Sequence, residues 1–447
     1  MRIGAPSLGT LTSGFRSLSN RNFRLFWFGQ FVSLAGTWMQ DVALSWLVLS
    51  LTESPVALGL TMTIRFLPAL VFSLYGGVLA DRLPKRKTII ITQCIQLTVA
   101  LTLAVLTSTN LITVGLIYTL AGIRGLSDAV ESPTRQAFVP EMVGKGQVSN
   151  AIALNSTQFN AARIVGPAVG AAVISAFSIA VCFYINAASF LAVIVALIAM
   201  RAADLRPAPR AADEKALRKL VEGFRYARST PNVVLILIIL AALGTFGYNF
   251  QVVLPLVAKY LVKSGVSGLA VLMASMGIGA VIGGLINAYR GKPSNALLFG
   301  SALCFSVLQL GLGFSTSQVI STGLMFFIGL CGVLFMTTAN TRLQLLVPDH
   351  MRGRVMGMYI LLFLGTTPIG SLVIGQLAES IGIQETVIVM AGICLVGVGA
   401  GFAYARRAVP GFGGTSGRAA ATVVAEERLC TPERSDNHDH TSGGGTL

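Results

Sequence analysis

Four ionisable side chains fall near the middle of long apolar stretches: Asp41, Arg65, Arg124 and Arg163. On insertion scales each costs about 2.5–3.5 kcal/mol at the centre of a membrane-spanning helix. Such groups must pair, line water, or both. Asp41 is the carboxylate set deepest. It shares a polar stripe with Gln30, Ser33, Thr37 and Gln40, which recur near helical spacing and predict one wet helical face. A carboxylate on such a face can exchange a proton near neutral pH, so Asp41 is a candidate proton-coupling residue. A static ion pair with Arg65 on the next stretch is the alternative. The two can coexist, because protonation of Asp41 would release Arg65. Arg124, Asp128 and Glu131 fall at i, i+4 and i+7 on one face. Asp128 and Glu131 lie nearer the end of their stretch, within reach of the basic loop before the third stretch. Arg163 precedes Gly166 and Pro167 by three and four residues and shares their face, which predicts a role at the interface between the two halves of the chain.

These residues ride on twelve apolar stretches, roughly 23–50, 56–80, 88–108, 111–132, 149–176, 179–200, 231–258, 267–289, 294–314, 317–340, 353–378 and 383–405. Of all residues 54% are hydrophobic and 11% charged, and a bilayer span needs about 20 apolar residues. Of 33 Lys and Arg, three lie deep inside spans (Arg65, Arg124, Arg163) and two, Lys259 and Lys263, in the seventh-to-eighth loop. The rest occupy the N-terminus, the even-to-odd loops and the C-terminus, so the positive-inside rule puts both termini in the cytoplasm. The expected fold is an all-α membrane protein of twelve transmembrane helices in two six-helix halves. Residues 1–22 form a cytoplasmic N-terminal segment without the apolar run of a signal peptide. Residues 23–200 are the first half and 201–230 a cytoplasmic linker. There Leu217, Leu220, Val221 and Phe224 predict an amphipathic helix, lying on the inner leaflet or solvated. Residues 231–406 are the second half, and 407–447 a disordered cytoplasmic tail.

Other chemistry finds little support. The three His are 350, 438 and 440, none in a span, and the tail around the last two lacks further metal ligands. The six Cys form no CxxC pair, and five lie in apolar spans. No HExxH, GxSxG or phosphate loop occurs, which argues against an enzyme and an ATP-driven pump. The +15 net charge is a topology signal, since no basic patch interleaves with aromatics as a nucleic-acid surface would. No cofactor or metal is called for.

The halves repeat at an offset of 208. Gly36-Thr37-Trp38-Met39-Gln40-Asp41 aligns with Gly244-Thr245-Phe246-Gly247-Tyr248-Asn249, Gly76 and Arg82 with Gly284 and Arg290, and Val139-Pro140-Glu141 with Val347-Pro348-Asp349. Two similar six-helix halves around a midplane site fit alternating access. Asn249, the counterpart of Asp41, cannot titrate, so proton coupling would be asymmetric.

The loop Gly77-Val78-Leu79-Ala80-Asp81-Arg82-Leu83-Pro84-Lys85-Arg86-Lys87 resembles the signature loop of the major facilitator superfamily, G-x-L-A-D-R-x-G-R-K/R-K/R, with Pro84 where that family often has Gly. Gly166-Pro167-Ala168-Val169-Gly170 resembles the G-P-x-x-G kink of its exporters, with Ala162 and Ala171 in place of glycines of the fuller pattern. Segments 124–140 and 155–170 resemble the subgroup containing the enterobactin exporter and related drug and secretion transporters. The resemblance spans about residues 18–405. It implies export from the cytoplasm by proton-coupled antiport, with Arg124 near the place of the superfamily's fourth-helix arginine. A conformational latch is expected from Gly77, Asp81, Arg82, Arg86 and Lys87, with Asp128 and Glu131 as acidic partners. A kink and interface are expected from Arg163, Gly166, Pro167 and Gly170.

The expected protein is a secondary transporter of siderophore- or drug-like molecules in a bacterial inner membrane. Its partners are a small-molecule substrate, protons and membrane lipids, and it functions as a monomer. Tyr248, Asn249, Gln251, Thr337, Thr338 and Asn340 could complete a cavity with Arg65 and the Gln30–Asp41 stripe. Three deep arginines against one aspartate favour an acidic substrate. An uncoupled facilitator or a lipid flippase on the same fold is the alternative.

Overall fold

A segment that crosses hydrocarbon has no water for its backbone groups, so it must close its hydrogen bonds internally as a helix. The computed structural model describes residues 15–206, 216–290 and 293–409, the side chains of 73–82, 145, 216–221, 349–350 and 364 excepted. The expected tail beyond 409, with His438 and His440, lies outside the described residues, as do 1–14. Twelve long helices cross the body: α1 (Arg21–Thr52), α2 (Pro55–Arg82), α3 (Lys85–Ser108), α4 (Val114–Val143), α5 (Val148–Ala176), α6 (Ile179–Ile198), α7 (Pro231–Leu261), α8 (Gly265–Arg290), α9 (Asn295–Phe314), α10 (Gln318–Leu346), α11 (Asp349–Ile360, then Leu361–Gly365 and Thr367–Ile381) and α12 (Ile383–Ala408). Side-chain caps start several of them: Thr113, Ser178 and Ser294 accept from the amides of Leu116, Val181 and Leu297. Outward faces carry exposed apolar residues such as Phe28, Ile91, Val195, Ile198 and Val396, as a lipid-facing shell requires.

Adding 208 to the bounds of α1, α2 and α3 gives 229–260, 263–290 and 293–316, close to those of α7, α8 and α9. Two departures matter. Among the described residues eleven helices are long and apolar enough to span a bilayer, and α4 is the exception. It carries Arg124, Asp128, Glu131, Arg135 and Glu141, and it runs on well past the predicted end at 132, taking Pro133 and Pro140 into the helix. The other departure is in the second half, where α7 and α11 are broken. A π turn at Leu243–Gly247 and another at Val257–Leu261 interrupt α7, and a third at Leu361–Gly365 interrupts α11. Gly244 packs so tightly on α11 that a Cβ there would lie 2.6 Å from the Leu362 carbonyl oxygen.

The linker helix Ala216–Ser229 docks on protein. Gly223 sits against the backbone of Arg354, and Glu222 pairs with the Arg354 guanidinium at 2.8 Å, so the linker is fastened to the start of α11.

Contacts between the halves gather from mid-bundle to the end opposite the described chain ends. Helix α2 meets α11, with Gly59 against the Ser371 carbonyl and the Thr63 hydroxyl donating to the Pro368 carbonyl at 2.9 Å. Helix α5 meets α8, where Ile164 fills the space beside Gly277. At that far end, two side chains of the second half cap helix ends of the first. Lys259 donates to the Leu49 carbonyl in the last turn of α1. Glu379 accepts from the Ser54 hydroxyl at 2.7 Å and the Val56 amide at 3.3 Å in the first turn of α2. Tyr260 adds a bond from its hydroxyl to the Glu53 carbonyl at 2.7 Å. Cation meets the negative end of one helix dipole and anion the positive end of the next, each contact stabilising by about 0.3–1 kcal/mol. Such a clasp is specific, yet weak enough to open. The double variant K259A/E379Q is expected to raise the labelling rate of a cysteine introduced at Thr63, as read with a water-soluble thiol reagent. An unchanged rate would show that the clasp does not hold the far end shut.

Candidate functional site

Asp41 lies in the middle of α1, and only 5% of it is exposed. It faces α2 and α4. Arg65 Nη1 donates to Asp41 Oδ1 at 2.7 Å, and Arg124 Nη1 lies 3.0 Å from the same oxygen, in ion-pair range but off the line of a hydrogen bond. The pairing of Asp41 with Arg65 matches one of the two expectations for this residue. The second arginine was not foreseen, because nothing in sequence spacing relates residue 124 to residue 41. The three groups together carry one excess positive charge. Backbones approach closely beside them: a Cβ at Gly125 would lie 2.1 Å from the Arg65 carbonyl oxygen, so glycine is what lets α4 reach α2.

Arg124 also reaches outward. Its Nε lies 4.0 Å from Asp128 Oδ2, whose side chain is 40% exposed. Asp128 and Glu131 were expected to meet the basic loop. Among the described side chains they bond to two glutamines of α3. Gln93 Nε2 donates to Glu131 Oε1 at 2.9 Å, and Gln96 Nε2 donates to Glu131 Oε2 at 2.7 Å and to Asp128 Oδ1 at 3.0 Å. Burial favours this arrangement, since the amides satisfy both carboxylates inside the bundle. Gln93 and Gln96 sit at i, i+3 on α3, a spacing that could have singled them out.

The expected latch is redistributed. The side chains of Gly77, Asp81 and Arg82 lie outside the described residues. Among the described residues Arg86 pairs with no acid: Nε donates to the Leu197 carbonyl at 2.8 Å and Nη2 to that of Ile198 at 3.1 Å, tying the loop to the last turn of α6. Lys87 is exposed. The loop's ion pair to α4 comes from Lys85, 2.7 Å from Glu141.

The kink residues also act differently from expectation. Helix α5 passes unbroken through Pro167. Gly166 packs on Ala35 and Trp38, and Gly170 on Met39, so these glycines seal α5 to α1 within one half. Arg163 does not bridge the halves by an ion pair among the described residues. Its Nη2 donates to Asn160 on its own helix at 3.2 Å, and its Nε is buried without a hydrogen-bond partner.

Several cavity candidates are spent on structure. Gln40 accepts from Asn186 of α6 at 2.6 Å. Tyr248 donates to the Gly332 carbonyl at 2.7 Å and stacks on Phe305 at 5.0 Å. Asn249 accepts from Ser371 of α11 at 2.9 Å and donates to the Thr245 carbonyl, bridging the two broken helices. Thr337 bonds back to Val333, and Asn340 accepts from Gln344. Ser33 is buried and Thr37 half-buried. Gln30, Gln251 and Thr338 keep buried oxygens without a hydrogen-bond partner, which suits residues that could meet a guest molecule.

Removing Asp41 leaves two buried guanidinium groups facing each other. Breaking such a pair costs about 3–5 kcal/mol, so D41A is expected to destabilise the protein by that order. The double variant D41A/R65M should regain part of the loss, because only one buried cation then lacks its partner. Thermal unfolding of the purified variants measures both.

Comparison with known proteins gives one consistent pattern. A family model described as transmembrane secretion effector matches residues 12–424. The staphyloferrin A transporter of Staphylococcus aureus is 26% identical over 372 residues, covering 82% of this chain and 92% of that protein. The multidrug efflux pump Tap of Mycolicibacterium fortuitum is 25% identical over 389 residues, covering 85% and 94%. The enterobactin exporter EntS of Shigella boydii is 25% identical over 362 residues, covering 79% and 85%. Among solved structures, a POT family transporter superimposes with a TM-score of 0.71 at 10% identity, covering 87% of this chain and 96% of the other. The nucleoside transporter NupG does so with 0.69 at 15%, covering 86% and 98%.

Proposed function

The chain belongs to the transmembrane secretion effector family of the major facilitator superfamily, and on that premise we propose that it is a proton-coupled exporter of small organic molecules, siderophore- or drug-like, working by alternating access. The observation that carries this reading is Asp41, buried where α1, α2 and α4 meet and shared by Arg65 and Arg124. A proton on Asp41 removes the one negative charge between two guanidinium groups. Two like charges about 4 Å apart repel by about 4 kcal/mol at an effective dielectric of 20. Arg124 then has Asp128 to turn to, and Arg65 is released on α2. Helix α2 also forms the seam with α11 through Gly59 and Thr63, so a shift of α2 reaches the contact between the halves.

The Lys and Arg bias places both termini in the cytoplasm of a bacterial cell. The end clasped by Lys259 and Glu379 would then be the outer end. The siderophores and drugs named for relatives indicate the size and polarity of the cargo. The alternative, an uncoupled facilitator or lipid flippase, draws on the same triad: two arginines on one carboxylate can also serve as a fixed strut.

The deciding experiment uses full-length protein in liposomes with a pH dye enclosed, screening staphyloferrin A, enterobactin, macrolides and cationic dyes as cargo. Cargo-dependent proton movement is expected, falling in D41N to the level of empty liposomes. Transport that persists in D41N and ignores an imposed pH gradient would favour the uncoupled reading.

A further inference from the structure

Glu131 is the buried carboxylate that the mechanism above does not use. It is 6% exposed, and no cationic nitrogen of a described residue lies within 4 Å of it. The charged groups that act on it are Asp128, nearly one turn away on α4, and Arg135, one turn the other way. From α3 it meets only neutral groups, Thr92, Gln93 and Gln96. From α1 and α2 the nearest described charges are Asp41 and Arg65, beyond Arg124. A carboxylate so placed is costly to keep ionised without a cation, and in its neutral form it needs an acceptor for its proton.

Gln93 can serve both forms. Its Nε2 donates to Glu131 Oε1, while its own Oε1 is buried without a hydrogen-bond partner. A half-turn of the terminal amide exchanges the two atoms and presents an acceptor to a protonated Glu131. Gln96 continues to donate to the other oxygen. The site therefore has matched hydrogen bonds for the charged and the neutral carboxyl group alike.

A path of charge joins this site to Asp41. Arg124 lies 3.0 Å from Asp41 and 4.0 Å from Asp128, and Gln96 bridges Asp128 to Glu131. A proton on Asp41 frees the Arg124 charge to move toward Asp128, and that favours an ionised Glu131. A proton on Glu131 leaves Arg124 to an ionised Asp41. Asp128, partly exposed between them, gives access to water. We propose that Glu131 is a second proton-binding site that alternates with Asp41, so that one proton leaves the Glu131 carboxyl as another binds the Asp41 carboxylate. The proposal rests on the reading of Asp41 as a proton site, but it can fail on its own.

The test needs no cargo. Infrared difference spectra of the full chain in lipid nanodiscs are recorded as pH is lowered, with the proton as ligand. Two protonated-carboxyl bands are expected. E131Q should lose one, E131D should restore a band at a shifted frequency, and D41N should lose the other and move the Glu131 band to lower pH. Q93L, which removes the observed donor to the ionised carboxylate but keeps the acid, should move that band to higher pH, and it serves if E131Q does not fold. An unchanged set of bands in E131Q, or an unmoved band in Q93L, overturns Glu131 as a proton site while leaving Asp41 untouched. Loss of a band in E131Q but none in D41N overturns the alternation, and with it the role proposed for Asp41.

Discussion

One carboxylate shared by two guanidinium groups, inside a medium that solvates charge poorly, sets the geometry of the first half. Asp41 cannot satisfy Arg65 and Arg124 unless α1, α2 and α4 meet at one depth, and Gly125 is there to let them. Once these helices are placed, the rest follows by contact. Helix α4 carries Asp128 and Glu131 to the glutamines of α3, and α2 carries Gly59 and Thr63 to the seam with α11. The triad is thus both a strut and the most responsive point in the bundle, because a change of one proton alters the balance of three charges.

The two halves share an ancestry visible in their repeat, but they are built to different ends. The first half keeps continuous helices and concentrates charge. The second replaces Asp41 with Asn249, and where α1 is continuous, α7 is interrupted by π turns on either side of a short helix. Asn249 uses its amide to join α7 to Ser371 on α11, next to that helix's own break. π turns and broken helices in membrane proteins supply freed backbone groups and local compliance. Under the proposed proton coupling, the carboxylate that titrates and the helices with breaks would sit in different halves.

Much of this architecture could be read before any coordinates. Hydropathy marks the spans because the bilayer imposes it, and the offset of 208 places the first three helices of the second half to within a few residues. The Asp41–Arg65 pair was legible because adjacent helices must neutralise deep charges. What could not be read were the partners across non-adjacent helices. Arg124 on Asp41 and Arg86 on the end of α6 depend on rotation about helix axes, which spacing leaves free. Motif likeness misled in one respect. The Gly166–Gly170 segment was expected at the boundary between halves, whereas its glycines seal α5 to α1. The small residues specify close approach, but not to which neighbour.

The fourth helix bears a cost that the others do not. With Arg124, Asp128, Glu131, Arg135 and Glu141 along it, α4 falls short of the apolarity that its eleven companions have among the described residues. The charges that make it useful make it a poor passenger on its own. Its polar groups in the finished bundle are met by two helices that offer a counter-charge or hydrogen-bond donors. These are α1 with Asp41 and α3 with its glutamines, both earlier in the chain. Synthesis order and site chemistry are in this way the same constraint. The residues that meet the charges of α4 in the finished protein are made before α4 itself, so they are at hand when it joins the bundle.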